Sequence, residues 1–198
     1  MLEGAAVLLG AGKSTRFGSD KRKSLVDGTP LLSKTTSLYS EEFSRVVVVI
    51  RPDDNVSALI ADHCEVVVAH DTDQGMSRSL AAGIHAIGEA SWAVVGLVDM
   101  PSISISTLKL IKTRIEQGDF GIVRPFYQNQ PGNPIAFSSS YFIELTNLSG
   151  DQGAREIVKR DHQLVCKLHV QDPGVCLDID TEQDAVTANE LLRSRGSS

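Results

Sequence analysis

Aromatic residues are scarce: one Trp, three Tyr and six Phe make up 5% of 198 residues, so the core must be mainly aliphatic. Positive charge is also in short supply. Nineteen Lys and Arg stand against 25 Asp and Glu, a net charge of −6, which argues against broad nucleic-acid binding. No apolar run approaches the ~20 residues of a membrane span. The N-terminus lacks a basic region followed by a long apolar stretch, so no secretory signal is expected. Cys64, Cys166 and Cys176 are an odd set without metal-type spacing and read as reduced, buried thiols of a cytoplasmic protein. His63, His70, His85, His162 and His169 are scattered without zinc spacing and read as structural or surface residues. There is no internal repeat, low-complexity segment or linker, and the length suits one domain over 1–198.

What is present is an alternation of apolar runs and amphipathic segments. Ala5–Leu9, Arg45–Ile50, Glu65–Ala69 and Trp92–Val98 read as strands. The continuous β-branched run of the second predicts a strand covered on both faces, as parallel sheets require. Between them, 30–42 reads as a helix with Pro30 in its first turn and Thr29 as N-cap. Asp53–Asp62 reads as a short helix, and Met76–Ala90 as a helix with Leu80, Ile84 and Ile87 on one face. Thr107–Gln117 follows as another. Strands are expected at Phe120–Arg124, Asn133–Phe137 and Leu164–Val170, and helices at Tyr141–Leu148 and Ala154–Arg160. A C-terminal helix starts at Thr181, with Asp184 placed as in a capping box, and Arg195–Ser198 should fray. The pattern predicts an α/β fold: a three-layer sandwich with a mostly parallel, Rossmann-like sheet and a small antiparallel excursion. Ligands of such sheets bind outside the carboxyl ends of the strands. The loop after Leu9, the loop after Ala69 and Asp99 all fall at such ends.

The first of these loops runs Leu9-Gly10-Ala11-Gly12-Lys13-Ser14-Thr15-Arg16-Phe17-Gly18, with Lys21, Arg22 and Lys23 beyond. Glycines let a backbone approach a ligand closely, and successive N–H groups in such a turn form an anion-binding nest. Fixed cations beside it suit the phosphates of a nucleotide. A Walker A loop would need glycine at position 7, where Val7 continues the strand. A dinucleotide fingerprint would need glycine at position 15, where Thr15 stands.

Leu9-Gly10-Ala11-Gly12-x-Ser14-x-Arg16-Phe17-Gly18-x-x-Lys21 resembles the signature loop of the MobA-like nucleotidyltransferases, with Gly10 for a usual alanine and Phe17 for a usual methionine. Four further segments match in order: Gly28-Thr29-Pro30-Leu31-Leu32, Gly75-Met76-Ser77-Arg78-Ser79-Leu80, Asp99-Met100-Pro101 and Leu177-Asp178-Ile179-Asp180-Thr181. Gly150-Asp151-Gln152-Gly153-Ala154-Arg155 also resembles a family segment, while Asn133 stands where the cytidylyl branch usually has histidine. The wider fold implied is that of the nucleotide-diphospho-sugar transferases.

The resemblance implies nucleotidyl transfer: an NMP, CMP from CTP in the closest branch, moves onto a phosphorylated acceptor such as molybdopterin, and pyrophosphate leaves. Arg16, Lys21 and Asp99 are the implied catalytic set. Leu9, Gly10, Ala11, Gly12, Ser14, Gly75 and Ser79 would contact the nucleotide, and Asn133 and Asp151 the acceptor. Mg²⁺ would sit on Asp99 and a second carboxylate, Asp180 preferred over Asp178, since Mg²⁺ takes one or two protein carboxylates beside phosphate oxygens. A molybdoenzyme or its chaperone is the implied protein partner, with neither nucleic acid nor membrane. Two alternatives stay open: the same chemistry with GTP, ATP or another phosphorylated acceptor, and a non-catalytic nucleotide-binding protein that delivers a cofactor.

Overall fold

The computed structural model describes residues 3–12, 17, 20–70, 72, 75–150 and 153–196. The chain runs through β1 (Ala5–Leu9), β2 (Leu25–Val26), β3 (Thr29–Pro30), α1 (Leu31–Glu42), β4 (Val46–Ile50), β5 (Cys64–Val68), α2 (Met76–Ile87) and β6 (Trp92–Leu97). It continues through α3 (Ile105–Glu116), β7 (Ile122–Tyr127), β8 (Gln130–Pro131), β9 (Ile135–Ser138), α4 (Phe142–Thr146), α5 (Arg155–Arg160), β10 (Val165–His169) and α6 (Glu182–Gly196).

Eight strands form one sheet in the order β10-β7-β9-β6-β1-β4-β5, with β8 hydrogen-bonded to β7. β5, β4, β1 and β6 are mutually parallel, and β7 pairs in parallel with β10. β9 runs antiparallel between β6 and β7, so those two strands point the same way, and the short β8 also pairs antiparallel with β7. Side chains alternate across the sheet as period-two geometry demands. Ala6 and Leu8 join Val46, Val48 and Ile50 beneath α1 and α3, while Ala5, Val7 and Leu9 join Val47 and Val49 beneath α2, α4 and α5. β1 and β4 are buried along their whole length, as the β-branched run predicted. The result is the three-layer α/β fold with a mostly parallel sheet. A third, smaller cluster of Val26, Leu31, Ile179 and Ala188 seats α6.

Several local expectations need correction. Asp53–Asp62 is not a helix; only a single 3₁₀ turn, Ser57–Leu59, forms there. Thr29 does not cap α1. It lies in β3, which pairs with β2 through a tight turn at Asp27 (φ 52°) and Gly28 (φ 77°), and Pro30 occupies the cap position. An Asp-Gly pair is a strong hairpin signal because both central residues of a type I′ turn need positive φ. α3 begins two residues early, at Ile105, and β7 and β9 each start two residues later than expected. Only Cys166 is buried; Cys64 and Cys176 are half-buried, and all three are free thiols.

Nor does the C-terminus fray at Arg195. Its Nη1 donates to Ser102 O at 2.5 Å, and its Nη2 pairs with the buried carboxylate of Asp172. Asp172 also accepts from Ser104 N, Thr107 Oγ1 and Gly174 N, at 2.8, 2.8 and 2.9 Å. One carboxylate thus fastens the start of α3, the 172–176 turn and the end of α6. The capping box of α6 is present: Thr181 N donates to Asp184 Oδ2 at 2.7 Å, and Asp184 N to Thr181 Oγ1 at 3.2 Å.

Candidate active site

β1, β4 and β6 end level with one another, and the chain leaves all three on the same rim. Gly10 N donates to Val49 O at 2.8 Å and Val98 N to Leu9 O at 3.2 Å. A Cβ on Gly10 would lie 3.1 Å from both Val49 O and Val98 Cγ1, so a larger residue would press on both neighbouring strand ends. Ala11 is buried and Gly12 exposed, with nothing within 4 Å of where its Cβ would be. The loop therefore rises from a rigid base to an open edge. Arg16 and Ser14, with Lys13, lie outside the described residues.

The return of the loop is held by Arg22, one of the cations that sequence reading assigned to the basic cluster. Its side chain is only 2% exposed. Nε donates to Asp20 Oδ1 at 2.8 Å, and Nη1 to Gly10 O at 2.8 Å and Asp54 Oδ2 at 2.5 Å. Nη2 donates to Asp20 Oδ2 at 2.8 Å and Asp54 Oδ1 at 2.6 Å. All five N–H groups of the guanidinium are engaged. Burial alone would raise the carboxyl of Asp54, yet hydrogen bonds from Arg22 and Arg51 hold it well below the usual carboxylate range. Arg22 is thus a strut tying the loop's exit to Gly10, and its charge is spent internally.

Lys21, one residue earlier, faces the opposite way. Its Nζ lies 2.7 Å from Asp99 Oδ2 and 2.8 Å from Asp180 Oδ1. Asp99 follows β6 directly, and its backbone O accepts from Ile179 N at 2.9 Å, which docks the 177–180 segment against it. Ile179 points into the core, while Asp178 is exposed. The side chains of Lys21, Asp99 and Asp180 are 10, 19 and 35% exposed. Burial pushes the carboxyl of Asp99 up; Lys21 opposes this, and the charges of Asp178 and Asp180 add to it. Burial also works against the Lys21 ammonium, but Asp99 and Asp180 outweigh it and hold Lys21 above the ordinary lysine range.

Among the described residues, one ammonium faces the carboxylates of Asp99 and Asp180, with the charge of Asp178 close by. Asp99 Oδ1 is buried with no partner among the described residues. Hard oxygen donors with an unpartnered lone pair fit Mg²⁺ or a similar divalent ion. Among the described residues there is no group of three or more His, Cys, Asp or Glu side chains arranged as a metal cage.

At the same rim, Gly75 (φ 112°) opens α2, whose first turn buries Ser77 and Ser79. Ser77 N donates to Gly150 O at 3.3 Å, bringing the 150–155 segment alongside. Asp151 is outside the described residues. Asn133 N donates to Val175 O at 2.8 Å, and its side chain is half-exposed next to β9. Of the residues expected to act, the described ones do come to one rim. Sequence reading missed Asp20, Asp54 and Asp172, whose partners lie up to 68 residues away.

A parallel sheet with a glycine turn after β1 and a carboxylate pair across from it is the arrangement of a nucleotide-triphosphate-using transferase. The chain belongs to the MobA-like NTP transferase domain family, whose model matches residues 6–165. It is 28% identical over 192 residues to the purine catabolism protein PucB of Bacillus subtilis, covering 90% of this chain and 92% of that one. It is 23% identical over 188 residues to the molybdenum cofactor cytidylyltransferase of Escherichia coli, covering 93% and 94%. The crystal structure of Rv0371c from Mycobacterium tuberculosis superposes with a TM-score of 0.84 at 30% identity, covering 96% and 98%. A structure of Rv0371c in complex with manganese matches with a TM-score of 0.79 at 29% identity, covering 95% and 98%. The protein is a nucleotidyltransferase of this family. No helix among the described residues is long and apolar enough to cross a membrane.

Proposed function

We propose that the protein transfers CMP from CTP to a phosphorylated acceptor of the molybdopterin type and releases pyrophosphate. The observation that carries this reading is the meeting of Lys21, Asp99 and Asp180 at the rim that also holds Gly10-Ala11-Gly12. An acceptor phosphate oxygen attacks the α-phosphorus, the bond from that phosphorus to the bridging oxygen breaks, and the electron pair leaves on pyrophosphate. The protein's work is to hold two mutually repelling anions in line and to spread the charge that develops.

Backbone N–H groups of the Gly10–Gly12 turn and the side chains of Arg16 and Ser14 bind the triphosphate in this reading. Gly75 and Ser79 bring the start of α2 to base and ribose. Lys21, released from its two carboxylates, neutralises the leaving pyrophosphate. Asp99 and Asp180 would hold Mg²⁺, which supplies positive charge to the phosphate oxygens when bound. The manganese complex of Rv0371c and the cytidylyltransferase relative support metal use and base choice, respectively. Asn133 and Asp151 face the acceptor. A cytoplasmic setting and delivery of the product to a molybdoenzyme or its chaperone complete the proposal.

The test is pyrophosphate release from purified protein given each nucleoside triphosphate, Mg²⁺ and molybdopterin. Release with CTP is expected. Release with GTP alone overturns the base assignment, and no release with any nucleotide overturns the catalytic reading. A different phosphorylated acceptor is a second reading, favoured by Asn133, whose uncharged amide stands at the position where the cytidylyl branch usually has histidine. A panel of phosphorylated acceptors with CTP separates the two.

A further inference from the structure

Away from Asp99, on the α5 side of the sheet, β7, β10 and α5 border an open surface pocket of about 210 Å³. Arg124, Arg155, Lys159, His162 and Lys167 border it, an unusual gathering in a chain with a net charge of −6. Arg124 and Lys167 are direct partners in the parallel β7–β10 register. Like charges placed opposite each other across strands destabilise a sheet, so this pairing costs stability. Arg155 adds a third charge beside them: burial first, and then the Arg155 charge, lower Arg124 below the usual arginine range. Among the described residues, none of these four Arg and Lys side chains forms an ion pair, although surface acids elsewhere in the chain do pair with arginines.

The cavity is nevertheless a built one. Arg124 is half-buried and anchored by Nε donating to Gly132 O at 3.0 Å. Lys167 Nζ stands 5.8 Å from the centre of the Phe126 ring. Phe126 and Val158 give the cavity an apolar wall. The segments that carry it also pack on neighbouring elements. Gly132 precedes Asn133, and a Cβ on Gly153, two residues before Arg155, would lie 3.4 Å from the sulfur of Met76 at the head of α2.

We infer that this pocket is a separate binding site for an organic phosphate, held by its anionic group on Arg124, Arg155, Lys159 and Lys167 and by its apolar body on Phe126 and Val158. The inference stands apart from the transferase reading. Clustered cations without a carboxylate partner among the described residues are neutralised by a phosphate, and the ring of Phe126 removes an apolar body from water.

The experiment uses the full chain without nucleotide. Phenyl phosphate and inorganic phosphate are titrated and followed by NMR, in the wild type, in Arg155→Ala and in the Lys159→Ala/Lys167→Ala double variant, all three changes being at exposed positions. Affinity for a fluorescent CTP analogue with Mg²⁺ is measured separately. Saturable phenyl phosphate binding, tighter than inorganic phosphate and weakened at least tenfold in the double variant with CTP affinity unchanged, is expected. Binding that is absent, or equal in the wild type and the double variant, overturns the inference. Equal affinity for the two phosphates overturns the apolar half of it. Phenyl phosphate binding as expected without any CTP binding upholds the cavity and overturns the nucleotide reading instead.

Discussion

Replacing Asp54 with alanine isolates the strut beneath the phosphate loop. The substitution removes two charge-assisted hydrogen bonds to Arg22, of 2.5 and 2.6 Å, and leaves a guanidinium that is 2% exposed facing Asp20 alone. It also removes the acceptor for Arg51 N at 2.8 Å and for the Arg51 guanidinium at 2.8 and 3.1 Å. Breaking a buried pair by deleting one partner costs about 3–5 kcal/mol, because the surviving charge stays buried. The partly exposed Arg51 contacts add at most about 1 kcal/mol. A loss of about 4 kcal/mol in urea unfolding is therefore expected; with a slope near 3 kcal/mol/M the midpoint falls by roughly 1.3 M. Asp53→Ala, at the exposed neighbouring position, should move it little.

The pH dependence has a defined sign. The folded-state carboxyl of Asp54 lies below its unfolded value of about 3.9, so its contribution is complete above pH ~4 and is lost as pH falls toward the folded value. The gap between wild type and variant should be widest at neutral pH and close as the solution is acidified. A loss below about 1 kcal/mol at pH 7, or a gap that grows on acidification, would refute the strut.

Asp99→Asn should leave the unfolding free energy from urea titration within about 1 kcal/mol of wild type while lowering pyrophosphate release roughly a hundredfold or more, judged by steady-state rates. Gly83→Ala puts a Cβ 2.3 Å from Val7 Cγ1 between α2 and β1, and should cost about 1–3 kcal/mol by overpacking, read from thermal or urea unfolding. Arg195→Ala should cost about 2 kcal/mol, since it takes one of four donors from a buried carboxylate, and proteolysis at the α3 start should quicken in parallel.

The parts of the molecule legible in sequence are those where local chemistry and tertiary demand coincide. The run Val46–Ile50 is apolar at every position, and only a strand covered on both faces can use it. The carboxyl ends of β1 and β6 then place Gly10 and Asp99 on one rim without further information. Alternation around Ile179, which is buried, put Asp178 and Asp180 on one face but could not choose between them; the contact of Asp180 with Lys21 was visible only in the fold. What stayed hidden depends on partners distant in sequence. Nothing local distinguishes Arg22 from Lys21, yet one is buried in a carboxylate cage and the other looks into the site; Asp54, 32 residues on, decides this. The cationic cavity was equally invisible, because Arg124 and Lys167 become neighbours only through the β7–β10 register. Asp27-Gly28 was different: its hairpin signal was present, but the helix-start reading of Thr29-Pro30 competed with it.

Lys21 has one more consequence, for the order of events. With its ammonium seated between Asp99 and Asp180, the protein carries its own tethered counter-ion. On the proposed metal reading, a free divalent cation would have to displace that ammonium from Asp99 and Asp180 without bringing an anion to receive it. A cation arriving already chelated by a nucleotide brings the anionic oxygens on which Lys21 can settle. On the proposed reading the lysine would act as an internal competitor, disfavouring the bare ion and favouring loading in a single encounter.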